Sequence, residues 1–177
     1  MGVFGKALFA LAVGVAVHQG YQRLKPAYAP TVQYVDVRGV KHELGSQQKP
    51  TLVAFWIDNC TYSKRVMAIL EEVHKEYSEQ QLDVVGFYVN PIPNRTLQSL
   101  ATSRGYKIQI VAAQQSQDLI SKLHVGFRIR GAGTDIYLVD RKGQIHRIDA
   151  SDREASKSEI KQRVKDLIRS KTTATAH

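Results

Sequence analysis

A cysteine at the junction between a strand and a helix can do chemistry that a cysteine inside a sheet cannot, and this chain places its only cysteine at such a junction. Thr51-Leu-Val-Ala-Phe-Trp56-Ile57 is an unbroken run of strand character, and within three residues Cys60 opens the stretch Thr61-Tyr62-Ser63-Lys64-Arg65, where helical periodicity begins. The unpaired amides and positive dipole end of a helix N-terminus stabilise a thiolate, and two cations in the first turn add to the effect. Cys60 is therefore a candidate nucleophile with a depressed pKa. A free cysteine also packs well as a small hydrophobe. Against that reading stand its position and its polar neighbours Asn59, Thr61 and Ser63. Ser63 is placed to hydrogen-bond the thiolate, and Trp56, Asn59, Thr61 and Tyr62 are candidate contacts for whatever approaches the sulfur.

The elements around this stretch fit one domain with appendages. At 177 residues, with 43% hydrophobic and 23% charged residues, the chain can bury a core of its own. A single cysteine excludes an internal disulfide and any cysteine-based zinc site. The six histidines, at 18, 42, 74, 124, 146 and 177, lack ligand spacing, so no metal or other cofactor is expected. The net charge of +9 is spread: residues 1–30 contribute +3 and residues 151–171 another +3. No nucleic-acid motif accompanies it, and nucleic acid is not an expected partner.

Taken in order, Ala7 to Val17 holds eleven apolar residues without a charge. At about 1.5 Å per residue this run is shorter than the roughly 30 Å of a bilayer core, but Lys6 can snorkel and extend it to Met1. With no clean cleavage site, residues 1–24 are expected to be an uncleaved signal-anchor, the alternative being a removed signal peptide that leaves a secreted protein. Residues 25–32, with Pro26 and Pro30, form a linker, residues 33–170 the globular domain and residues 171–177 a disordered tail. Within the domain, Gln33 to Val37 and Val40 to Leu44 make a hairpin around Arg38-Gly39. Helical spacing of Val66, Ile69, Leu70, Val73 and Tyr77 follows Cys60. Gln81 to Asn90 is a second buried strand, Asn94 caps a helix to about Ser103, and Tyr106 to Val111 is a short extended piece. Ser116 caps a helix to His124, Thr134 to Asp140 and Gln144 to Ile148 flank a turn with Gly143, and a helix from about Ser156 to Arg169 closes the domain.

Lys49-Pro50-Thr-Leu-Val-Ala-Phe-Trp56 followed by Cys60-x-x-Ser63 resembles the strand and active-site turn of the membrane-tethered TlpA/ResA-like thiol-disulfide oxidoreductases, and Asp140-Arg-Lys-Gly143 is similar to a later hairpin of that family. The resemblance spans Gln33 to Ile168. It implies a thioredoxin-like α/β fold, with a central mixed sheet flanked by helices, an N-terminal β-hairpin extension and an N-terminal membrane segment. Four positions depart from the family pattern. Ser63 replaces the second cysteine, Asn59 a tryptophan, Ala54 a buried acid or asparagine, and Val66 a glutamate. A fifth, Thr134, stands where the family has a cis-proline facing the cysteine. A cis bond before a non-proline costs about 2.5–4 kcal/mol, so the Gly133-Thr134 bond is expected to be trans, within a reshaped substrate-facing loop.

Two functional readings follow. In the first, a single-pass protein of the bacterial inner membrane, its domain in the periplasm, exchanges disulfides through Cys60 alone. It forms a mixed disulfide with a partner protein that Ser63 cannot resolve, and Gly133 and Thr134 join Trp56, Asn59, Thr61 and Tyr62 in binding the substrate. In the second, the domain has lost redox work and serves as a binding or assembly module.

Overall fold

A computed structural model describes residues 27–45, 49–77, 80–127 and 135–174. The expected anchor at residues 1–24 and the Gly133-Thr134 bond lie outside these. Among the described residues no helix is long and apolar enough to cross a membrane.

The run 51–56 becomes β3, Thr51–Trp56, and every one of its residues is buried. A strand buried on both faces must lie inside a sheet, and β3 is the middle strand of five in the order β5-β4-β3-β6-β7. β4, Asp83–Tyr88, runs parallel to it, and β5, Gln109–Ala112, parallel to β4. β6, Asp135–Val139, and β7, Ile145–Asp149, form an antiparallel hairpin on the other side of β3. The sheet is thus mixed: β3, β4 and β5 are parallel, while β6 runs antiparallel to β3 and to β7, which Gly143, at φ 79°, joins to it in a tight turn.

Side-chain alternation along β3 serves two cores. Leu52, Ala54 and Trp56 face α1, Thr61–Glu76, together with α2, Asn94–Ser103, and α4, Arg153–Ala174. Val53 and Phe55 face the opposite side, against α3, Gln117–Phe127, and the separate hairpin of β1, Val32–Val35, and β2, Lys41–Leu44.

Several boundaries differ from the sequence expectation. Asn94 is the first residue of α2 and Pro93 occupies the cap position, because the fixed φ of proline already suits the turn into a helix. Ser116 does cap α3, its hydroxyl accepting the Leu119 N–H at 3.1 Å. α4 runs to Ala174, past Arg169 and into the stretch expected to be tail. Helix continues there without an apolar stripe, since nothing in Lys171-Thr-Thr-Ala174 breaks it.

The β1–β2 hairpin is held by a buried carboxylate. Asp36, whose side chain is fully enclosed, accepts from the Val40 N–H at 3.0 Å, the Arg38 N–H and Nε at 2.9 Å each, and lies 3.4 Å from His42 Nε2. Burial pushes its pKa up, but the Val40 amide and the Arg38 guanidinium and amide outweigh burial and hold the carboxyl below its ordinary value. A depressed folded pKa contributes stability that is present above the unfolded carboxylate value, near about 3.9, and is lost as pH falls through the lower folded value. Asp36→Asn should therefore cost about 1–3 kcal/mol at pH 7 by leaving buried donors poorly matched, and the gap to wild type should narrow in acid. Thermal melts of both proteins from pH 7 to pH 2 read this directly. A gap independent of pH would show that the charge on Asp36 does not stabilise the hairpin.

Candidate functional site

The site forms where β3 ends. Asn59 takes a left-handed φ of 58°, which reverses the chain sharply enough for α1 to start at Thr61. Asparagine tolerates this region better than most side chains, whereas a tryptophan there would be strained. Cys60 is the N-cap, extended at φ −106° and ψ 123°, and its carbonyl accepts the Lys64 N–H at 3.0 Å. Its thiol is free and partly exposed.

The groups at the start of α1 favour an ionised Cys60 sulfur. The Ser63 N–H lowers the Cys60 pKa most, followed by the Ser63 hydroxyl. Desolvation opposes them, and the Tyr62 N–H and the charge of Lys64 lower the pKa further. Ser63 is completely buried, and its Oγ accepts the Ile57 N–H at 3.2 Å. With the Ile57 amide held on its oxygen, the Ser63 hydroxyl retains its own proton to give.

The two positions where the resembled family carries a buried acid or asparagine and a glutamate are apolar here. Ala54 is fully buried between Gly86 of β4 and Ile136 of β6, and Val66 lies in the core on the inner face of α1. Neither position supplies an internal base, so the lowered pKa of Cys60 rests on the Ser63 and Tyr62 groups and Lys64. Asp58, two residues before Cys60, is paired with Arg104 at 3.2 Å, which offsets a charge that would oppose ionisation.

Not every expected contact survives. Trp56, proposed above to touch substrate, is only 2% exposed and packs edge-on to Tyr88 at 4.8 Å and Tyr106 at 5.6 Å. Its place is the floor of the turn, and Gly86 makes that possible: a Cβ there would lie 3.1 Å from the indole Nε1. Asn59 and Thr61 are exposed beside the thiol, and Tyr62 is 51% exposed. Gly133 and Thr134 lie outside the described residues. Arg65, expected to help ionise Cys60, is drawn instead to the Ser151 carbonyl before α4 and over the Tyr62 ring at 5.6 Å. Sequence reading missed the Ile57 amide, Ser151 and the Asp58–Arg104 pair. Only Asp58, close to Cys60 in the chain, left a signal that could have been read.

The fold matches that of known thioredoxin-like proteins. A thiol:disulfide interchange protein of the thioredoxin family from Chlorobium tepidum superposes with a TM-score of 0.64 at 20% identity, over 81% of this chain and 97% of that one. The thioredoxin domain of a thiol-disulfide oxidoreductase from Bacteroides vulgatus gives 0.59 at 18%, over 80% and 99%. BsSco, of the Sco family of cytochrome c oxidase assembly proteins, gives 0.62 at 15%, over 81% and 94%. These likenesses establish the fold. Among curated protein sequences none matches the chain. The AhpC/TSA family model matches residues 27–148, which include β1 to β7 almost entirely and the whole Cys60 turn, and the chain belongs to the AhpC/TSA family.

Proposed function

We propose that this protein is a thioredoxin-like thiol-disulfide exchange protein that works through one nucleophilic cysteine. The observation that carries this reading is the Cys60 turn: a partly exposed cysteine caps α1, Ser63 three residues on has its oxygen held by the Ile57 amide, and the Ser63 amide and hydroxyl hold the thiol pKa below its ordinary value. The Cys60 thiolate attacks a partner disulfide, forming a Cys60–S bond to one partner sulfur and releasing the other as a thiolate that water protonates. No electrons are gained or lost overall. Breaking the adduct requires a thiol from outside the chain, whether from the partner or from a small thiol such as glutathione. The proposal extends to location: residues 1–24 hold the domain at the periplasmic face of a bacterial inner membrane, an idea supported by the uncharged run from Ala7 to Val17.

Two measurements test it. The alkylation rate of Cys60 against pH should have its midpoint below about 8.5, the ordinary thiol value, because the folded pKa is lowered. Oxidised glutathione should add one equivalent that Cys60→Ala abolishes and that decays only when external thiol is supplied. A midpoint at or above the ordinary value, with no adduct over hours at neutral pH, contradicts thiol exchange. For the location, mass spectrometry of fractionated cells should find the intact N-terminus in the membrane fraction, and a soluble product starting beyond Val17 would refute the anchor.

A second reading has a specific observation in its favour. Ala54 leaves no titratable group beneath the thiol and Ser63 offers no second sulfur, as suits a domain whose work is binding or assembly. The alkylation profile decides between the two, since a binding module has no use for an ionised cysteine.

A further inference from the structure

Beside the thiol lies a pair of side chains that the exchange chemistry does not use. Tyr62 and Arg65 are three residues apart on α1 and so share a face. Tyr62 is among the few large side chains with apolar surface left exposed, at 51%. Arg65 lies over its ring with the guanidinium carbon 5.6 Å from the centroid. One guanidinium N–H is given to the Ser151 carbonyl, 86 positions away, so the long side chain is fixed from both ends. Arginine carries five N–H donors in a planar fork, and the remaining four have no partner among the described residues.

The acids flanking Ser151 accept amides of their own loop. Asp149 accepts the Ser151 N–H at 2.9 Å, Asp152 accepts the Ala155 N–H at 3.0 Å, and Asp58 is paired with Arg104. None of the three forms an ion pair with Arg65 among the described residues. Of the two cations of this turn, Lys64 acts on Cys60, and Arg65 lies over Tyr62 on the adjoining side of the helix. Arginine and tyrosine, held rigid before any partner arrives, are the residue types that anchor protein interfaces.

From this we infer that the Tyr62–Arg65 pair selects the partner: the preferred substrate is a protein disulfide whose cysteine is flanked by an acidic side chain, which the free edge of the Arg65 fork receives. The inference rests on the thiol-exchange reading. Arg65 acts here as a specificity-determining residue, and the covalent step is unchanged. The Cys60 thiolate attacks the near sulfur of the partner disulfide, and the far sulfur leaves as the thiolate.

The test uses three short peptides of one sequence, each with a single cysteine activated as a 2-pyridyl disulfide and flanked by Glu, Gln or Lys. Release of pyridine-2-thione reports the rate of attack by the full chain. At low ionic strength the Glu peptide should react about 5- to 10-fold faster than the Lys peptide, and the ratio should approach one at about 1 M salt, where charges beyond about 3 Å are screened. Arg65→Gln should lower the low-salt ratio at least twofold. Arg65→Lys should recover part of it, because lysine keeps the charge but loses the fork. Lys142→Gln, on the turn at the opposite end of the sheet, changes the net charge equally and should leave the ratio alone. If all three peptides react at equal rates, or if Lys142→Gln lowers the ratio as much as Arg65→Gln, the selection inference fails while thiol exchange stands. If none reacts with the folded protein, thiol exchange itself fails and the selection falls with it.

Discussion

Ser63→Cys will turn a long-lived adduct into a transient one. On the thiol-exchange reading, the mixed disulfide on Cys60 of the wild-type protein waits for an external thiol. Ser63 follows the N-cap Cys60 by three residues in the first turn of α1, and its amide and hydroxyl do most to lower the Cys60 pKa, so a thiol at position 63 starts close to the bond to be broken. Its thiolate attacks the Cys60 sulfur, the partner leaves as a thiolate, and an internal disulfide between Cys60 and the introduced thiol remains. The protein dithiol is then oxidised by two electrons and the partner disulfide reduced. Well-oriented intramolecular groups reach effective molarities of about 10⁵ M or more. Even a geometry far short of that should shorten adduct lifetime at least about 10³-fold relative to external thiol near 1 mM.

The same change has a structural cost. The Ile57 N–H, bonded to Ser63 Oγ at 3.2 Å, would face sulfur, a weaker acceptor, at a cost of about 1 kcal/mol. Stopped-flow release of a labelled peptide, followed by mass analysis for loss of two hydrogens, reads both the rate and the product. Persistence of the adduct in Ser63→Cys for as long as in wild type would show that position 63 does not face the sulfur.

Phe55→Ala should lower stability by about 3–5 kcal/mol, or roughly 10–15 °C in Tm for a domain of this size. Phe55 is 2% exposed at the centre of an aromatic group, with ring centroids 5.7 Å from Phe87, 5.4 Å from Phe127 and 5.8 Å from Tyr137. Its removal leaves a cavity bounded by α3, β4 and β6, and the packed sheet on three sides limits collapse into it. Since β3 also delivers Ile57 to Ser63, the alkylation profile of Cys60 should move toward that of an ordinary thiol before the domain unfolds. Urea denaturation gives the free energy. A loss under about 1.5 kcal/mol would mean that this aromatic group is not the packed centre of the α3 side of the sheet.

The strand-turn-helix around Cys60 was legible in the sequence because each part obeys a local rule. The apolar run 51–57 needs burial on both faces, Val66 to Val73 recur at helical spacing, and Gly143 marks a turn by its freedom at positive φ. The single cysteine and the serine at position 63 are facts of composition, and they alone establish that any mixed disulfide cannot be resolved within the chain. What the tertiary structure decided concerns residues whose partners are distant in sequence. Trp56 was expected to meet substrate, and it is buried instead because β4 pairs in a register that sets Gly86 beside its indole. Arg65 was expected to act on the thiolate, but the loop before α4 brings up the Ser151 carbonyl, which turns the guanidinium across Tyr62. Ser63 gains its fixed orientation from a backbone amide, a group that every non-proline residue carries and no sequence pattern singles out. Periodicity records which face of an element is buried; which atoms meet across two buried faces depends on strand register and helix docking, and these are settled only when the whole chain packs.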